Sequence, residues 1–222
     1  MVFPRIILAS QSPRRRELLG WLGFPFETLD GSIDESPLPG EDARDHVLRI
    51  AETKASAASQ DLDGDSIVIS ADTVVVDRGE LLGKPADAAQ AAQILQRLSG
   101  RDHFVDTGFI YYDLRTQSMA KGLCESRVRM RSLTDNEINT YVLSGDPLDK
   151  AGAYAIQNRE FNPVPEFSGC LTNVMGLPLC HLKRTFLEQG IDLPIDLTTT
   201  CRENLGYDCR ISARILAGEE IG

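Results

Sequence analysis

The segment SIVISADTVVV, residues 66–76, decides the fold class, because it is a dense run of Val and Ile around a single internal carboxylate, Asp72. Such a run is typical of a strand that is buried on both faces of a sheet. Before it, the pattern indicates a strand over 5–10, a helix over 13–22 and a second helix over 41–58. This alternation of strands and helices predicts an α/β protein.

The second half of the chain continues the alternation. Residues 103–113 and 122–130 predict two strands that are neighbours in the sheet. Asp87 predicts the N-cap of a helix that ends near residue 98. Thr134 and Glu137 form a capping box for a helix that ends near residue 143.

The domain organisation is predicted to be simple. Residues 151–157 indicate a strand or turn, and 178–189 an amphipathic helix. No linker or repeat divides the chain, so we expect residues 1–190 to form a single domain with two lobes. Residues 191–222 have weak periodicity, and we expect them to form a C-terminal appendage of unknown role.

The net charge limits the partners that the protein can bind. The 222 residues include 23 Lys plus Arg and 33 Asp plus Glu, which gives a formal charge of −10. Such a surface repels phosphate backbones at long range, so we expect no nucleic-acid polymer and no anionic membrane as a partner. An anion would have to bind at a local cluster of positive charge.

Three further features bear on compartment and metal chemistry. No apolar run reaches the roughly 20 residues of a membrane span, and the stretch 2–10 precedes its arginines, the reverse of a secretory signal. We therefore expect a cytoplasmic protein. The five cysteines are interpreted as reduced thiols, with a Cys201–Cys209 disulfide as the less favoured alternative. The three scattered histidines give little support for a zinc site.

An anion site is predicted where the first strand ends, in the run SQSPRRR over 10–16. Ser12 is a favourable N-cap, and a proline follows at the first helical position. The arginines then lie at the positive end of the helix dipole, where acidic residues are favoured by about 0.3–1 kcal/mol each. A bound phosphate would remove this conflict, whereas the alternative is a solvated arginine cluster. The side chains that would hold the phosphate are Ser10, Ser12, Arg14 and Arg15.

Asp72 is the second candidate site residue. A carboxylate inside an apolar strand is costly to bury unless it is paired, bound to metal or close to a strand end that opens on a cleft. Ligands of open α/β sheets bind at the carboxyl ends of the strands. Asp72 is therefore a candidate for holding a divalent metal or for accepting a proton from an attacking water. The alternative is a structural Asp that is hydrogen-bonded to turn amides.

Other candidates are isolated charges in unusual settings. Lys54 lies on an apolar helical stripe, and Lys84 lies between a glycine and a proline in the sequence. Both are candidates for cations held toward a cleft, although a lysine stem also packs along apolar surface without any function. Glu35 is a loop acid that no local pattern singles out. Over 149–157, small residues precede Gln157, which suits either close approach to a planar ligand or a tight turn.

Short motifs follow one another in a fixed order over roughly the first 190 residues. They are LASQSPRR (8–15), DE (34–35), AETKA (51–55), ADTVV (71–75), GKP (83–85), LSGR with His103 (98–103), DKAGAYAIQ (149–157), NV (173–174) and GLP (176–178). This series resembles the Maf family of nucleoside triphosphate pyrophosphatases. The resemblance implies a Maf and inosine-triphosphatase-like α/β fold, with a mixed twisted sheet, flanking helices and a deep cleft between two lobes.

The resemblance also implies a reaction. The family splits a nucleoside triphosphate between the α and β phosphates and uses a divalent cation, Mg²⁺ or Mn²⁺. Asp72 matches the proposed proton acceptor, and Glu35 matches an acid that holds the metal with it. The positions that match the phosphate cleft, where they would stabilise charge on the leaving pyrophosphate, are Ser10, Ser12, Arg14, Arg15, Lys54 and Lys84.

Substrate choice follows from the branch of the family that the chain resembles. The branch that acts on dTTP and UTP has a second Arg after Ser-Pro, Thr after the Asp and a late Ile-Gln, here Arg15, Thr73 and Gln157. A side-chain amide both donates and accepts, so Gln157 suits a pyrimidine edge. The resemblance also suggests a homodimer. Two alternatives remain open: a nucleotide-binding regulator of septum formation, and an enzyme that acts on ITP and XTP.

Overall fold

The structure is a computed structural model that describes residues 4–62 and 64–222. Residues 2 and 3, which begin the apolar stretch used in the targeting prediction, lie outside this range. Among the described residues, no helix combines the length and the apolar character that crossing a bilayer requires.

The strands form one mixed sheet, which confirms the predicted α/β class. Their order is β2-β1-β3-β5-β6, with β4 paired to β3. β1, β2 and β3 run parallel, whereas β4, β5 and β6 join the sheet in antiparallel pairs. The strands are β1 Arg5–Ala9, β2 Phe26–Leu29, β3 Ser66–Asp77, β4 Glu80–Leu82, β5 Asp102–Asp113 and β6 Ser118–Arg129.

The helices flank the sheet and follow the predicted pattern closely. Asp87 caps α3 by accepting the Gln90 N–H at 2.8 Å, and Thr134 forms the predicted capping box with Glu137. The segment 151–157, predicted as a strand or turn, contains a 3₁₀ turn at Ala151–Ala153. The helices are α1 Pro13–Gly20, α2 Ala43–Ser59, α3 Ala88–Leu98, α4 Asp135–Leu143, α5 Leu171–Val174, α6 Leu179–Glu188, α7 Leu197–Leu205 and α8 Ser212–Leu216.

The pairing of β3 leaves a gap in the middle of the sheet. β5 pairs with one edge of β3 over residues 67–76. The other edge pairs with β1 over 66–69 and with β4 over 75–77. In the described chain, residues 70–74 therefore have no strand on that second edge. Asp72 lies at the centre of this gap, just beyond the carboxyl end of β1, where ligands of such sheets bind.

Three apolar clusters hold the layers together. One packs α1 and α6 on the first half of the sheet, a second packs α3 and α4 around the end of β3, and a third packs α2 on the opposite face. Residues 191–222, which the sequence predicts to be an appendage, contribute Leu193, Leu197 and Ile215 to the first cluster, each no more than 1% exposed. Their packing is therefore continuous with the core. All five cysteines are free thiols.

Asp106 on β5 is a buried acid that gives stability a specific pH dependence. It is 3% exposed, and its Oδ1 has no hydrogen-bond partner among the described residues. Burial, with the charge of Glu125 adding to it, raises the pKa of Asp106 to about 6 despite the attraction of Arg44. The unfolded chain ionises first, so the folded state loses stability relative to it as pH rises from about 4 to about 6.

We therefore expect Asp106→Asn to gain stability relative to the wild type between pH 4 and pH 7.5. The relative gain should be about 3 kcal/mol, because the pKa rises from 3.8 to about 6 and each pKa unit corresponds to about 1.4 kcal/mol. Urea unfolding of both proteins at several pH values measures it. Stability curves that stay parallel over this range would show that Asp106 ionises normally in the folded protein.

Candidate active site

A cleft of about 500 Å³ opens at the gap in the β3 edge. Its walls come from the β1–α1 loop, the loop after β2, α2, the middle of β3, the segment after β4 and residues 149–157. It brings together all ten site residues that the sequence singled out. They are Ser10, Ser12, Arg14, Arg15, Glu35, Lys54, Asp72, Thr73, Lys84 and Gln157.

The β1–α1 loop presents a helix N-terminus to the cleft. Ser12 is the N-cap, and its Oγ accepts the Arg15 N–H at 3.4 Å. The Ser10 Oγ accepts the Ser12 N–H at 3.2 Å, which folds the loop back on the end of β1. The first turn of α1 contains no acidic residue. The positive end of the helix therefore remains uncompensated by its own side chains, as an anion site requires.

Lys54 lies between the two candidate acids. Its Nζ donates to the Asp72 Oδ1 at 2.8 Å and contacts the Glu35 Oε1 at 2.5 Å. α2 places it there because Lys54 shares the inward stripe that also carries Ile50 and Ala51. The snorkelling alternative is excluded for this residue, since its ammonium group is buried against two carboxylates rather than extended to solvent.

The ionisation of Glu35 follows from these neighbours. Burial alone would raise its pKa, but the hydrogen bond from Lys54 and the charges of Lys54, Lys84 and Arg15 outweigh burial and lower it. Glu35 is thus anionic at neutral pH, beside a cleft that also holds Asp72. Two oxygen-donor side chains that share one cation define a place where a positive charge is stabilised.

The two arginines differ in what they contact. Arg15 donates from Nε to the Gly176 carbonyl at 2.9 Å and from Nη2 to the Thr73 Oγ1 at 3.0 Å. It therefore joins α1, β3 and the loop after α5. Burial lowers its pKa, and the charges of Asp72 and Glu35 oppose that effect.

The Arg14 side chain is 28% exposed. Its Nη1 lies 3.8 Å from the Asp149 Oδ2 at the mouth of the cleft. Lys150, also in the cleft, donates to Asp146 and Asp149, so its charge is already matched by acids. Lys84 is exposed, and its side chain has no hydrogen bond among the described residues. In the part of the chain that the structure describes, Lys84 has no hydrogen-bonded acid, and Arg14 has only its longer contacts with Asp149, so these two cations are the more available to an incoming anion.

Sequence reasoning missed a buried group behind Asp72. His46 is buried, with Nε2 4.0 Å from the Asp72 Oδ2 and Nδ1 3.0 Å from the Glu41 Oε2. Arg49 binds both Glu41 oxygens and the Ser36 carbonyl, next to Glu35. The hydrogen bond from Arg49 holds the pKa of Glu41 well below its usual value despite burial. His46 lies eight residues before Lys54, about two turns along the same helix face, and this spacing could have indicated that it lies close to the site.

The acids fit a hard divalent cation. Mg²⁺ takes oxygen ligands and commonly uses one or two carboxylates together with substrate phosphates rather than an all-protein cage. Asp72 and Glu35 supply two such carboxylates. In the described chain, no group of three or more His, Cys, Asp or Glu side chains has the arrangement to hold a metal on its own. A cation at this pair would therefore complete its shell from phosphate oxygens and water.

The fold and the cleft define an α/β protein with cations and a helix N-terminus on one side of a pocket and paired acids on the other, an arrangement suited to phosphate groups. Residues 5–189 match the family model described as Maf-like protein, so the chain belongs to the Maf family. The fold class expected from the resemblance is confirmed.

Known proteins from several bacteria are similar to the chain. One from Geobacter sp. (strain M21), named dTTP/UTP pyrophosphatase, is 46% identical over 177 residues, which cover 80% of this chain and 91% of that protein. One from Anaeromyxobacter dehalogenans (strain 2CP-C), with the same name, is 45% identical over 196 residues, covering 86% and 97%. A solved HAM1 protein from Coxiella burnetii aligns over 73% of this chain and 91% of that chain, with a TM-score of 0.41 and 14% identity.

Proposed function

We propose that the protein is a nucleoside triphosphate pyrophosphatase that hydrolyses dTTP and UTP to the nucleoside monophosphate and pyrophosphate. The observation that carries the proposal is the position of Asp72, in the strand gap and beside Lys54 and Glu35. Similarity to proteins named dTTP/UTP pyrophosphatase at 45–46% identity supports the substrate class.

Asp72 acts as the general base in this proposal. It takes a proton from a water whose oxygen attacks the α-phosphorus, and the bond from that phosphorus to the α–β bridging oxygen breaks. Pyrophosphate leaves with the electron pair of that bond. A carboxylate placed within reach of a water can accept its proton, and the Lys54 Nζ donates a hydrogen bond to the other side of this group, the Asp72 Oδ1, at 2.8 Å.

The cationic side of the cleft stabilises the charge that develops on the leaving group. Arg14 and Lys84 meet the phosphates from the mouth, and Lys54 from the floor. The α1 N-terminus, with Ser10 and Ser12, offers N–H and hydroxyl donors to phosphate oxygens. A Mg²⁺ or Mn²⁺ ion on Asp72 and Glu35 would neutralise phosphate charge and orient the triphosphate.

Gln157 is proposed to read the base, since its amide can pair with the donor and acceptor groups of a pyrimidine. Arg15 and Thr73 are proposed to shape the wall beside it rather than to bind substrate as free groups, because each is hydrogen-bonded within the protein. We further propose that residues 1–190 carry the catalytic machinery and that the protein acts in the cytoplasm as a homodimer.

A substrate panel tests the function directly. Purified protein with Mg²⁺ or Mn²⁺ should release pyrophosphate from dTTP and UTP, and more slowly from GTP, ITP and XTP. Release of orthophosphate alone, or no turnover of any triphosphate, would refute the proposal. A preference for ITP and XTP would indicate the deaminated-purine alternative, and nucleotide binding without turnover would indicate a regulator.

A further inference from the structure

The segment that carries Gln157 has no regular secondary structure to hold it. Residues 154–170, all of them described, contain neither helix nor strand. Within this segment Ala155 to Asn158 form a turn, in which the Asn158 N–H donates to the Ala155 carbonyl at 3.1 Å. Ile156 and Gln157 are its two central residues. The position of the Gln157 side chain therefore depends on whatever anchors the two ends of this turn.

Both ends are anchored on one carboxylate oxygen. At the first end, the Ala155 N–H donates to the Tyr141 Oη at 3.0 Å, and the Tyr141 O–H donates to the Asp146 Oδ2 at 2.5 Å. At the other end, the Asn158 Nδ2 donates to the same Asp146 Oδ2 at 3.2 Å. Tyr141 belongs to α4, so the turn is fixed from the lobe behind it rather than from the cleft.

Further contacts hold Asp146 and Tyr141 in place. Lys150 donates from Nζ to the Asp146 Oδ1 at 2.9 Å and to the Asp146 carbonyl at 2.6 Å. The Tyr141 ring stacks on Phe161 with a centroid distance of 3.8 Å and an interplanar angle of 13°. Burial would raise the pKa of Asp146, but its hydrogen bonds from Tyr141, Lys150 and Asn158 outweigh burial and lower it. The acid is thus ionised, as an acceptor of several donors requires.

Unlike the residues that anchor the turn, Gln157 has a side chain that is available to a ligand. Its side chain lines the cleft and has no hydrogen-bond partner among the described residues. Its amide can donate and accept at once, so small changes in the turn would alter which edge of a base it matches. If Gln157 reads the base, as in the proposed function, discrimination between bases would depend on how tightly the turn is held.

We propose that Tyr141 and Asp146 are positioning residues for base recognition, fixing the Ala155–Asn158 turn so that Gln157 meets a pyrimidine edge. This inference rests on the proposed function, in which Gln157 reads the base. Neither residue lines the wall around Asp72, Lys54 and Glu35, so their contribution falls on binding and choice of base rather than on the cleavage step.

Tyr141→Phe tests the inference, because the ring and its stacking on Phe161 are kept while the hydroxyl is removed. We expect kcat/KM for UTP relative to GTP to fall roughly tenfold, the effect of one lost hydrogen bond at a recognition site. The loss should appear as a higher KM for UTP, with kcat within about twofold of the wild type. Tyr112→Phe is the matched control, since its hydroxyl bonds the exposed Gln117 at 2.8 Å, outside the cleft.

A double-mutant cycle identifies the route of the effect. If Tyr141 acts through Gln157, then adding Gln157→Ala to the Tyr141→Phe protein should reduce kcat/KM for UTP relative to GTP much less than Gln157→Ala does in the wild type. Additive losses would overturn the inference. So would unchanged discrimination in Tyr141→Phe, or a fall in kcat that is equal for every nucleotide.

Binding of α,β-methylene UTP and its guanosine counterpart, measured by calorimetry, separates this inference from the proposed function. These analogues resist cleavage between the α and β phosphates, so their affinities do not depend on turnover. If the wild-type protein discriminates between the two analogues and the Tyr141→Phe protein does not, the inference is supported even when no triphosphate is hydrolysed. The absence of hydrolysis would refute the proposed function alone. Equal affinities of the two proteins for each analogue would refute the inference alone.

Discussion

Replacing Asp72 with asparagine is expected to reduce kcat by about 10³-fold, the usual contribution of a general base. Asparagine has nearly the same shape, and its amide oxygen can still accept from Lys54 at the position of the Asp72 Oδ1. It cannot take a proton from water. The variant should therefore stay folded, with its cationic cleft wall intact, and fail at the chemical step.

Two measurements on the Asp72→Asn protein separate chemistry from binding. Pyrophosphate release gives kcat, and calorimetry with a non-hydrolysable triphosphate gives an affinity that should remain within about threefold of the wild type. Asp113→Asn is a suitable control, because Asp113 is a buried acid near the end of β5 that does not line the cleft. Turnover near the wild-type level in Asp72→Asn would rule out its role as the base.

Lys54→Met is expected to lower the free energy of unfolding by about 3 kcal/mol and to remove turnover. The side chain of Lys54 is 7% exposed and that of Asp72 is 9% exposed, so methionine would leave a buried carboxylate without its cation. Breaking a buried ion pair by removing one partner is far more costly than replacing both. The Coulomb contact with Glu35 would be lost as well, although Glu35 is partly solvated.

Urea unfolding measures the stability of the Lys54→Met protein, and Lys84→Met provides the comparison. Lys84 lies in the same cleft but is exposed, so its replacement should change stability by no more than about 0.5 kcal/mol. Added Mg²⁺ should stabilise Lys54→Met more than the wild type, because the two acids would gain a replacement cation. Equal stability of the Lys54 and Lys84 variants would contradict the buried pairing.

The sequence predicts the long elements because their patterns are local. α2, α3, α4 and α6 have apolar stripes or capping residues, and β3 has two groups of β-branched residues, one on each side of Ser70, Ala71 and Asp72. Sequence reasoning missed β2 and β4. β2 is four residues long and lacks a fully buried face, so Phe26–Leu29 contains no apolar run.

β4 was missed because the turn that precedes it lacks the usual sequence signal of a hairpin. Arg78 and Gly79 connect β3 to β4, and both have positive φ values, 53° and 80°, as the tightest hairpin turns require. Arginine seldom occupies such a position, so the usual Asn-Gly or Asp-Gly signal is absent. β6 begins at Ser118, four residues before the predicted start, because its first residues are only partly buried and carry little apolar signal.

Sequence reasoning singled out residues that line the cleft one at a time, but it did not predict their geometry. The arginines at 14–16 and the isolated Asp72 conflict with local physics, and such conflicts are expected at functional or strained positions. Nothing local connects Glu35 with Lys54, since their contact depends on how the loop after β2 folds over α2. The resemblance to a family grouped them, and the structure places their charged atoms 2.5 Å apart.

The ends of the short strands β1 and β4 set the length of the unpaired edge of β3. The two strands end on either side of residues 70–74, and five residues of strand span about 16 Å at roughly 3.3 Å each. Lengthening either strand by one residue would shorten the unpaired edge of β3 by one residue, and shortening either strand would lengthen that edge. The reach of the cleft along β3 is therefore set by where β1 and β4 end, so insertions and deletions in these two strands would change the length of ligand that fits.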